Sequence, residues 1–443
     1  MTTWARCVLL AMVSACQYGQ YCEGDWAAVP PEEAKPAPRQ ARVVAQVLPV
    51  ESKAVDILFV IDDSGSMKDQ QEQLGIWSKE MFAVLSGKGA LPDLHIGVTS
   101  SSVAIPGLAG CAAGFGGSLH KGLAVIEGPY LSDVAGPDGR VRNYQGSLTD
   151  TFARMARVGD GGCGYEQPFK AARLALSTPG FLRDDALLLV VFVTDEDDCS
   201  SIDGALFGDL YADACSDLGA ITSYRCFEHG VQCADGKGSR EFGERTNCRP
   251  DETSPYVESV AAYAQYLKKL KPHPAQTIVA GIYGKPNGVF AIPDEKVERL
   301  MGYQSPRLAD VCGGMGEEGT GATPAIRMNA LLAEFGGRAS QSSICEPELS
   351  WAMRDAGLVT RSAATRSRCL RGALVDDDRS AEGIQPSCRV EATTNTGTSR
   401  EIRRTVPFTL AADPGCPDTQ LAVHAVALRG ETLTVTCDVD VTR

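Results

Sequence analysis

The chain has 443 residues, 44% of them apolar and 22% charged. That is enough for one large domain with insertions or for two domains, and it excludes global disorder, collagen and coiled coil. Acidic residues number 56 against 42 basic, a formal charge of −14. The balance argues against nucleic acid as a partner, because phosphate binding needs a basic face, and it suits a soluble domain that holds cations.

Sixteen cysteines without a single C-x-x-C spacing point away from zinc ribbons and thioredoxin motifs and towards an oxidising compartment. The start of the chain agrees. Arg6 precedes a short apolar run, Cys7 to Val13, far below the roughly 20 residues that a spanning helix needs, so residues 1–15 read as a signal peptide. Val13-Ser14-Ala15-Cys16 resembles a bacterial lipobox, which implies acylation of Cys16; ordinary cleavage near Ala15 is the alternative. In the lipoproteins it resembles, a residue other than Asp after that cysteine, here Gln17, implies the outer membrane of a Gram-negative cell, facing the periplasm or the outside. Without Cys7 and the acylated Cys16, fourteen cysteines remain, an even number whose pairing the sequence does not give. Residues 16–54, with Pro30, Pro31, Pro36, Pro38 and Pro49 among alanines and charges, read as an extended lipidated tether.

Past the tether the pattern alternates. Asp56 to Ile61 is a continuous apolar run after its first residue, as a central parallel strand should be. Ser66 to Leu85 has helical spacing, with Met67, Leu74, Trp77, Met81 and Leu85 near one face. Leu94 to Val98 reads as a strand, Phe152 to Val158 and Gln167 to Leu176 as helices, and Leu187 to Val193 as a second central strand. Residues 199–250 break the rhythm with Cys199, Cys215, Cys226, Cys233 and Cys248, and read as a disulfide-stapled insertion with one cysteine pairing elsewhere. The alternation resumes with a helix over Tyr256 to Leu270, a strand over Thr277 to Ile282 and helices near Ala325 to Phe335 and Glu346 to Thr360. Strands alternating with helices imply an α/β fold with a doubly wound, mostly parallel sheet over residues 55–365.

Residues 366–443 change to period two, with strands at Arg389 to Ala392, Thr405 to Leu410, Leu421 to Leu428 and Thr432 to Thr442. Arg429-Gly430-Glu431 reads as the hairpin turn between the last two. This small β element holds Cys369, Cys388, Cys416 and Cys437.

The first central strand ends in Asp62-Asp63-Ser64-Gly65-Ser66-Met67, a D-x-S-x-S pattern opening a helix. Doubly wound sheets bind ligands at that end of their strands. A carboxylate and two hydroxyls on one loop are hard oxygen donors suited to Mg²⁺, with Mn²⁺ or Ca²⁺ as alternatives. The same side chains also serve as plain helix caps, without any metal.

Val60 to Met67 resembles the metal loop of von Willebrand factor A (VWA) domains, and Val193-Thr194-Asp195 resembles that family's later strand end. Gly161 to Pro168 and Thr194 to Cys199 are similar to cysteine-rich bacterial lipoproteins of the family. The resemblance implies a Rossmann-like fold and a metal-ion-dependent adhesion site. Ser64 and Ser66 would bind the cation through their hydroxyls, Asp62 and Asp195 directly or through water, and an acidic side chain of a protein partner would complete the shell. The family's metal-binding Thr has no clear counterpart here: Asp160, Glu166 or a glycine-rich loop without a ligand stands in its place.

The run Asp195-Glu196-Asp197-Asp198 has two further readings, a general acid/base pair for a metal-assisted hydrolase and a solvated helix start. No G-x-S-x-G elbow, H-E-x-x-H pair or phosphate-binding loop occurs, and the five histidines are scattered. His95, inside a predicted strand, is expected as a hydrogen-bonded core residue, and Cys111 with Cys163 as staples of the site loops. A protein-binding envelope lipoprotein is therefore the first expectation; a hydrolase, and a scaffold whose metal site is purely structural or degenerate, are the others.

Overall fold

A computed structural model of the chain describes residues 41–48, most of 54–366, and the segments 387–394, 399–402, 408–412, 421–425 and 431–440. Residues 1–15, expected as a signal peptide, Cys16, expected to be acylated, and most of the stretch expected as a tether lie outside the described residues, as do Cys369 and Cys416. Within the stretch expected as tether, Ala41–Leu48 forms a strand, in keeping with its run of Val and Leu. Among the described residues no helix is long and apolar enough to cross a membrane.

The chain divides into two compact units. The larger holds residues 45–371 and 388–436, and with them the seven-stranded sheet and the site described below; the smaller holds residues 1–44, 372–387 and 437–443.

The larger unit is built on a seven-stranded sheet. Its strands in chain order are β1 (Ala54–Ile61), β2 (Asp93–Ser100), β3 (Leu131–Gly136), β4 (Gly139–Arg142), β5 (Leu187–Val193), β6 (Thr277–Tyr283) and β7 (Ala339–Ser343). Across the sheet they run β7-β6-β5-β1-β2-β3-β4. The first five in that order are parallel to one another, and β3 and β4 add an antiparallel hairpin at one edge.

Six helices cover the two faces: α1 (Lys68–Ser86), α2 (Leu148–Met155), α3 (Pro168–Leu176), α4 (Val260–Lys269), α5 (Ile326–Ala333) and α6 (Ser350–Arg366). The strand alternation assigns them. Ile57, Phe59 and Ile61 of β1 and Leu189, Val191 and Val193 of β5 pack against Leu74 and Met81 of α1, Phe152 of α2 and Met353 of α6. Leu58, Val60, Leu188, Val190 and Phe192 point the other way, onto Phe169 of α3, Tyr263 of α4 and Met328 and Leu331 of α5. Strands buried on both faces need the unbroken apolar runs that β1 and β5 carry.

Chain order places the site. From β1 the chain moves one way, to β2 and the edge hairpin, then returns to β5 on the other side of β1 and continues outward through β6 and β7. The reversal leaves a crevice between the carboxyl ends of β1 and β5, the position at which open α/β sheets take ligands.

The opposite end of the sheet is closed by charge. Asp56, fully buried on β1, accepts Lys271 Nζ at 2.7 Å and Arg183 Nε at 2.8 Å. His95 is a hydrogen-bonded strand residue as expected, its Nδ1 3.0 Å from the Phe181 carbonyl.

Several expectations are corrected in detail. The second helix begins at Leu148 because Ser147 caps it, accepting the Asp150 amide at 3.0 Å. The hairpin expected around Gly430 does not form: Leu421–Ala425 pairs with Phe408–Ala412, and Glu431–Asp440 belongs to another sheet. Neither the β3–β4 hairpin nor edge strand β7 was expected, since Gly139–Arg142 is short and largely exposed and Ala339–Ser343 has no large apolar residue.

Disulfides join Cys111 to Cys163, Cys199 to Cys226, Cys233 to Cys248 and Cys312 to Cys345, and Cys388 and Cys437 are disulfide-bonded as well. The insertion is thus stapled twice within itself. It is also ordered around Arg225, whose guanidinium is buried and donates to the carbonyls of Leu206, Gly219 and Ala220.

Asp56→Asn leaves the buried Lys271 and Arg183 without their counter-charge, a change that costs roughly 3 kcal/mol when one partner of a buried pair is removed. Urea unfolding should show that loss with an unchanged slope; a loss below about 0.5 kcal/mol would mean that the cluster is dispensable.

Candidate metal centre

The crevice begins where the two strands stop. The Asp62 amide donates to the Val193 carbonyl at 2.9 Å, so the first residue after β1 is pinned to the last residue of β5. The Asp62 side chain is fully buried. Its Oδ1 accepts the Ser64 amide at 2.8 Å and its Oδ2 accepts the Thr194 hydroxyl at 2.8 Å. The Ser64 and Ser66 hydroxyls lie 3.1 Å apart, ahead of the first turn of α1. From the other strand, Asp195 reaches the same place, with the Ser66 hydroxyl and the Asp62 carboxyl as hydrogen-bonding neighbours. Asp195 is 5% exposed, and its Oδ1 has no hydrogen-bond partner among the described residues. The structure therefore brings Asp62, Ser64, Ser66 and Asp195 together.

A third loop closes over them. The Gly162 amide donates to the Asp63 carbonyl at 2.7 Å, and the Cys163 amide to Ser102 Oγ at 2.8 Å, whose own hydroxyl donates to Asp63 Oδ1 at 2.6 Å. Gln71, buried on α1, completes the clamp. Its Nε2 donates to the carbonyls of Asp62 and Gly159, and its Oε1 accepts the Gly159 amide. The Cys111–Cys163 disulfide anchors this loop, as expected of that pair.

Of the two residues expected in place of a metal-binding Thr, Glu166 is buried within electrostatic reach of Asp62, Asp195 and Glu196, and neither of its carboxyl oxygens has a hydrogen-bond partner among the described residues. Asp160 is exposed, with its backbone carbonyl beside Gly65.

The acidic run is not a solvated helix start. Asp195 and Glu196 face the crevice, while the other two cap helices elsewhere. Asp197 accepts the Arg327 and Met328 amides at 2.9 and 3.0 Å, at the start of α5. Asp198 accepts the Phe169 amide at 3.2 Å, at the start of α3, and forms a buried pair with Arg327 at 2.9 Å. Those two carboxylates are committed to packing.

Electrostatics set the crevice apart. Burial, then the neighbouring Asp195, raises Asp62 well above the usual carboxylate range. Burial first also raises Asp195 and Glu166, and pushes Glu196 up to about 7. No lysine or arginine is among the strongest influences on these four groups. Buried like charges without a counter-ion are met by protons or by a cation.

The donor set fits a hard divalent ion: two carboxylates, one with an orphaned oxygen, and two adjacent hydroxyls. Among the described residues no three His, Cys, Asp or Glu side chains converge as a metal site, so half of the donors here must be hydroxyls.

No protein-family description and no curated protein matches the chain in sequence. Solved structures do. The pilus adhesin SpaC of Lactobacillus rhamnosus GG, in its open conformation, is 11% identical over 90% of this chain and 42% of its own, with a TM-score of 0.31. The adhesive tip pilin GBS104 of Group B Streptococcus agalactiae is 10% identical over 90% and 80%, with a TM-score of 0.24. This chain thus spans about two fifths of SpaC's length, and scores of this size do not establish a common fold.

Thr194, Gln71, Ser102 and Glu196 have roles that the sequence reading did not assign. Thr194 and Glu196 stood inside quoted motifs. Gln71 carried a faint signal, a polar residue on the buried face of a helix. Ser102 carried none.

A Cβ on Gly162 would lie 2.4 Å from Asp63 Oδ1 and 2.6 Å from its carbonyl oxygen. Gly162→Ala should therefore push the loop off the crevice and cost roughly 1–3 kcal/mol of stability in thermal or urea unfolding; an unchanged midpoint would show that the two loops are not locked.

The raised acids also fix a pH dependence. A carboxyl whose folded pKa exceeds its unfolded value favours folding below the unfolded value, and that contribution fades as pH rises to the folded value, here from about 4.5 to about 7 for Glu196. Metal-free protein should lose melting temperature over that window, and added Mg²⁺ should raise it more at pH 8 than at pH 5. Equal increments at both values would contradict the assignment.

Proposed function

We propose that the crevice holds a divalent cation, Mg²⁺ in preference to Mn²⁺ or Ca²⁺, and that the chain is a VWA-type binding module which captures an acidic side chain of a protein partner through that ion. The observation that carries the reading is the convergence of Asp62 and Asp195 at the switch point, buried, with their strongest charged neighbours also acidic, beside the neighbouring hydroxyls of Ser64 and Ser66. Ser64 and Ser66 would hold the cation by their hydroxyls. Asp62 and Asp195 would do so directly or through water, with Thr194 and the Ser64 amide fixing the Asp62 carboxyl. When bound, the ion would supply a positive centre with an open position for a carboxylate. Asp160, exposed, stands outside this set, and Glu166 lies buried beside it.

The reading favours attachment over turnover. Asp197 and Asp198, half of the acidic run that a hydrolase would draw on, cap helices. Together with the lipobox resemblance at Cys16 and the Pro-rich stretch after it, the module would sit on the outer membrane of a Gram-negative cell at the end of a tether. Several acyl chains give a stable anchor where one would be marginal.

Calorimetric titration of Mg²⁺, Mn²⁺ and Ca²⁺ into the oxidised protein tests the site. Binding should disappear in Asp62→Ala and in Ser66→Ala. The second change removes one hydroxyl from a half-buried loop position and should leave the melting temperature in EDTA within about 1 °C of the parent. Undiminished binding in a folded Ser66→Ala protein would overturn the donor assignment.

A further inference from the structure

A cleft of about 430 Å³ opens beside the crevice, between the first turns of α1 and the segment stapled by Cys312–Cys345. Its wall has two characters. Ile76, Ile344, Pro347 and Leu349 make it apolar along its length, while Asp69, Glu72, Glu346 and Asp195 make it acidic, and among the described residues no basic one lines it. Asp195 joins the two sites: it lies two residues past the end of β5, is nine-tenths buried, and carries the orphaned Oδ1. A second orphaned oxygen, Gln70 Oε1, belongs to the same lining. Arg157 stands 3.9 Å from Glu72 with both side chains largely exposed, so it neutralises the cleft weakly.

We infer that this cleft receives an arginine or lysine side chain of the same protein partner whose carboxylate reaches the crevice. A long basic side chain has the matching chemistry: an aliphatic stem for the apolar wall and a cationic head for the carboxylates. The volume is in the range that encloses one such side chain with water. Asp69, Glu72 and Glu346 are not donors to the proposed cation and keep their charge when it is present. The occupant is therefore a polypeptide segment with an acidic and a basic residue side by side on its surface. This inference rests on the reading of the crevice as a cation site, and the two can fail separately.

The test uses the full oxidised protein in Mg²⁺ and short fluorescent peptides carrying one aspartate, with arginine, lysine, alanine or glutamate placed one to four positions away. At low salt the arginine peptides should bind roughly tenfold tighter than their alanine counterparts, as charge-assisted hydrogen bonds allow. The glutamate peptides should be weakest. The preference should collapse in the Glu72→Gln/Glu346→Gln double variant, whose changes are on the exposed rim, while the alanine peptide keeps its affinity. Metal-dependent binding with no preference for the basic residue would overturn the cleft and leave the cation site standing. A basic preference that persists in EDTA would support the cleft and overturn the cation reading. No binding by any peptide up to millimolar concentration would overturn both.

Discussion

Asp62 and Asp195 stand side by side because β1 and β5, distant in the chain, pair in parallel register and end together. The register matches Ile61 with Val193, so Asp62 emerges level with Thr194, whose hydroxyl holds its carboxyl, and Asp195 follows one residue on. A one-residue slip would turn every side chain of β1 onto the other face of the sheet, and both faces are fully buried, so the apolar cores hold the two carboxylates in place. The unfavourable placement of like charges in a nearly dry crevice is thus imposed by the most favourable interaction in the molecule.

That imposition explains the polar detail around the site. Each oxygen of Asp62 is met by a donor from a different segment, the Ser64 amide ahead of α1 and the Thr194 hydroxyl after β5. Gln71 and Ser102 tie the loop of residues 159–163 to the loop that follows β1. None of these contacts neutralises the charge; they orient it. The basic residues of the region are engaged elsewhere, Arg327 with Asp198 beneath the loop and Arg183 and Lys271 with Asp56 at the far end of the sheet. A crevice that keeps its acids apart from every strong local base retains a demand for positive charge from outside the chain.

The parts of this arrangement legible in the sequence were those in which one physical pattern dominates. The unbroken apolar runs of β1 and β5 announce strands buried on both faces, and D-x-S-x-S at the end of the first fixes where the helix starts. The alternation of strands and helices then gives the layers. Weak patterns were lost. Edge strand β7 is Ala-Ser-Gln-Ser-Ser, which has nothing apolar to bury on its outer side. Leu421–Ala425 pairs with the strand before it, Phe408–Ala412, and Glu431–Asp440 joins another sheet, so the turn signal at Gly430 did not decide the pairing. The acidic run misled for a related reason: its four carboxylates read alike in sequence, yet the fold sends two into the crevice and two to helix starts, Asp197 to one and Asp198 to the other, more than a hundred and about thirty residues away.

The cysteines follow from the same physics. Loops at the carboxyl ends of parallel strands bury little apolar surface of their own, and here they carry uncompensated charge that favours opening them to water. Three disulfides lie where that tendency acts. Cys111–Cys163 holds the clamp loop, Cys199–Cys226 fastens the chain one residue past the acidic run, and Cys312–Cys345 closes the cleft on its far side. The first two share a small apolar cluster with Tyr165 and Phe207 directly behind the crevice. They close loops of 52, 27 and 33 residues. In the chain-entropy account each contributes about 3–4 kcal/mol by restricting the unfolded chain. An oxidising compartment is accordingly a condition for the site as much as for the fold, because reduction would free the loops whose close approach gathers the charge.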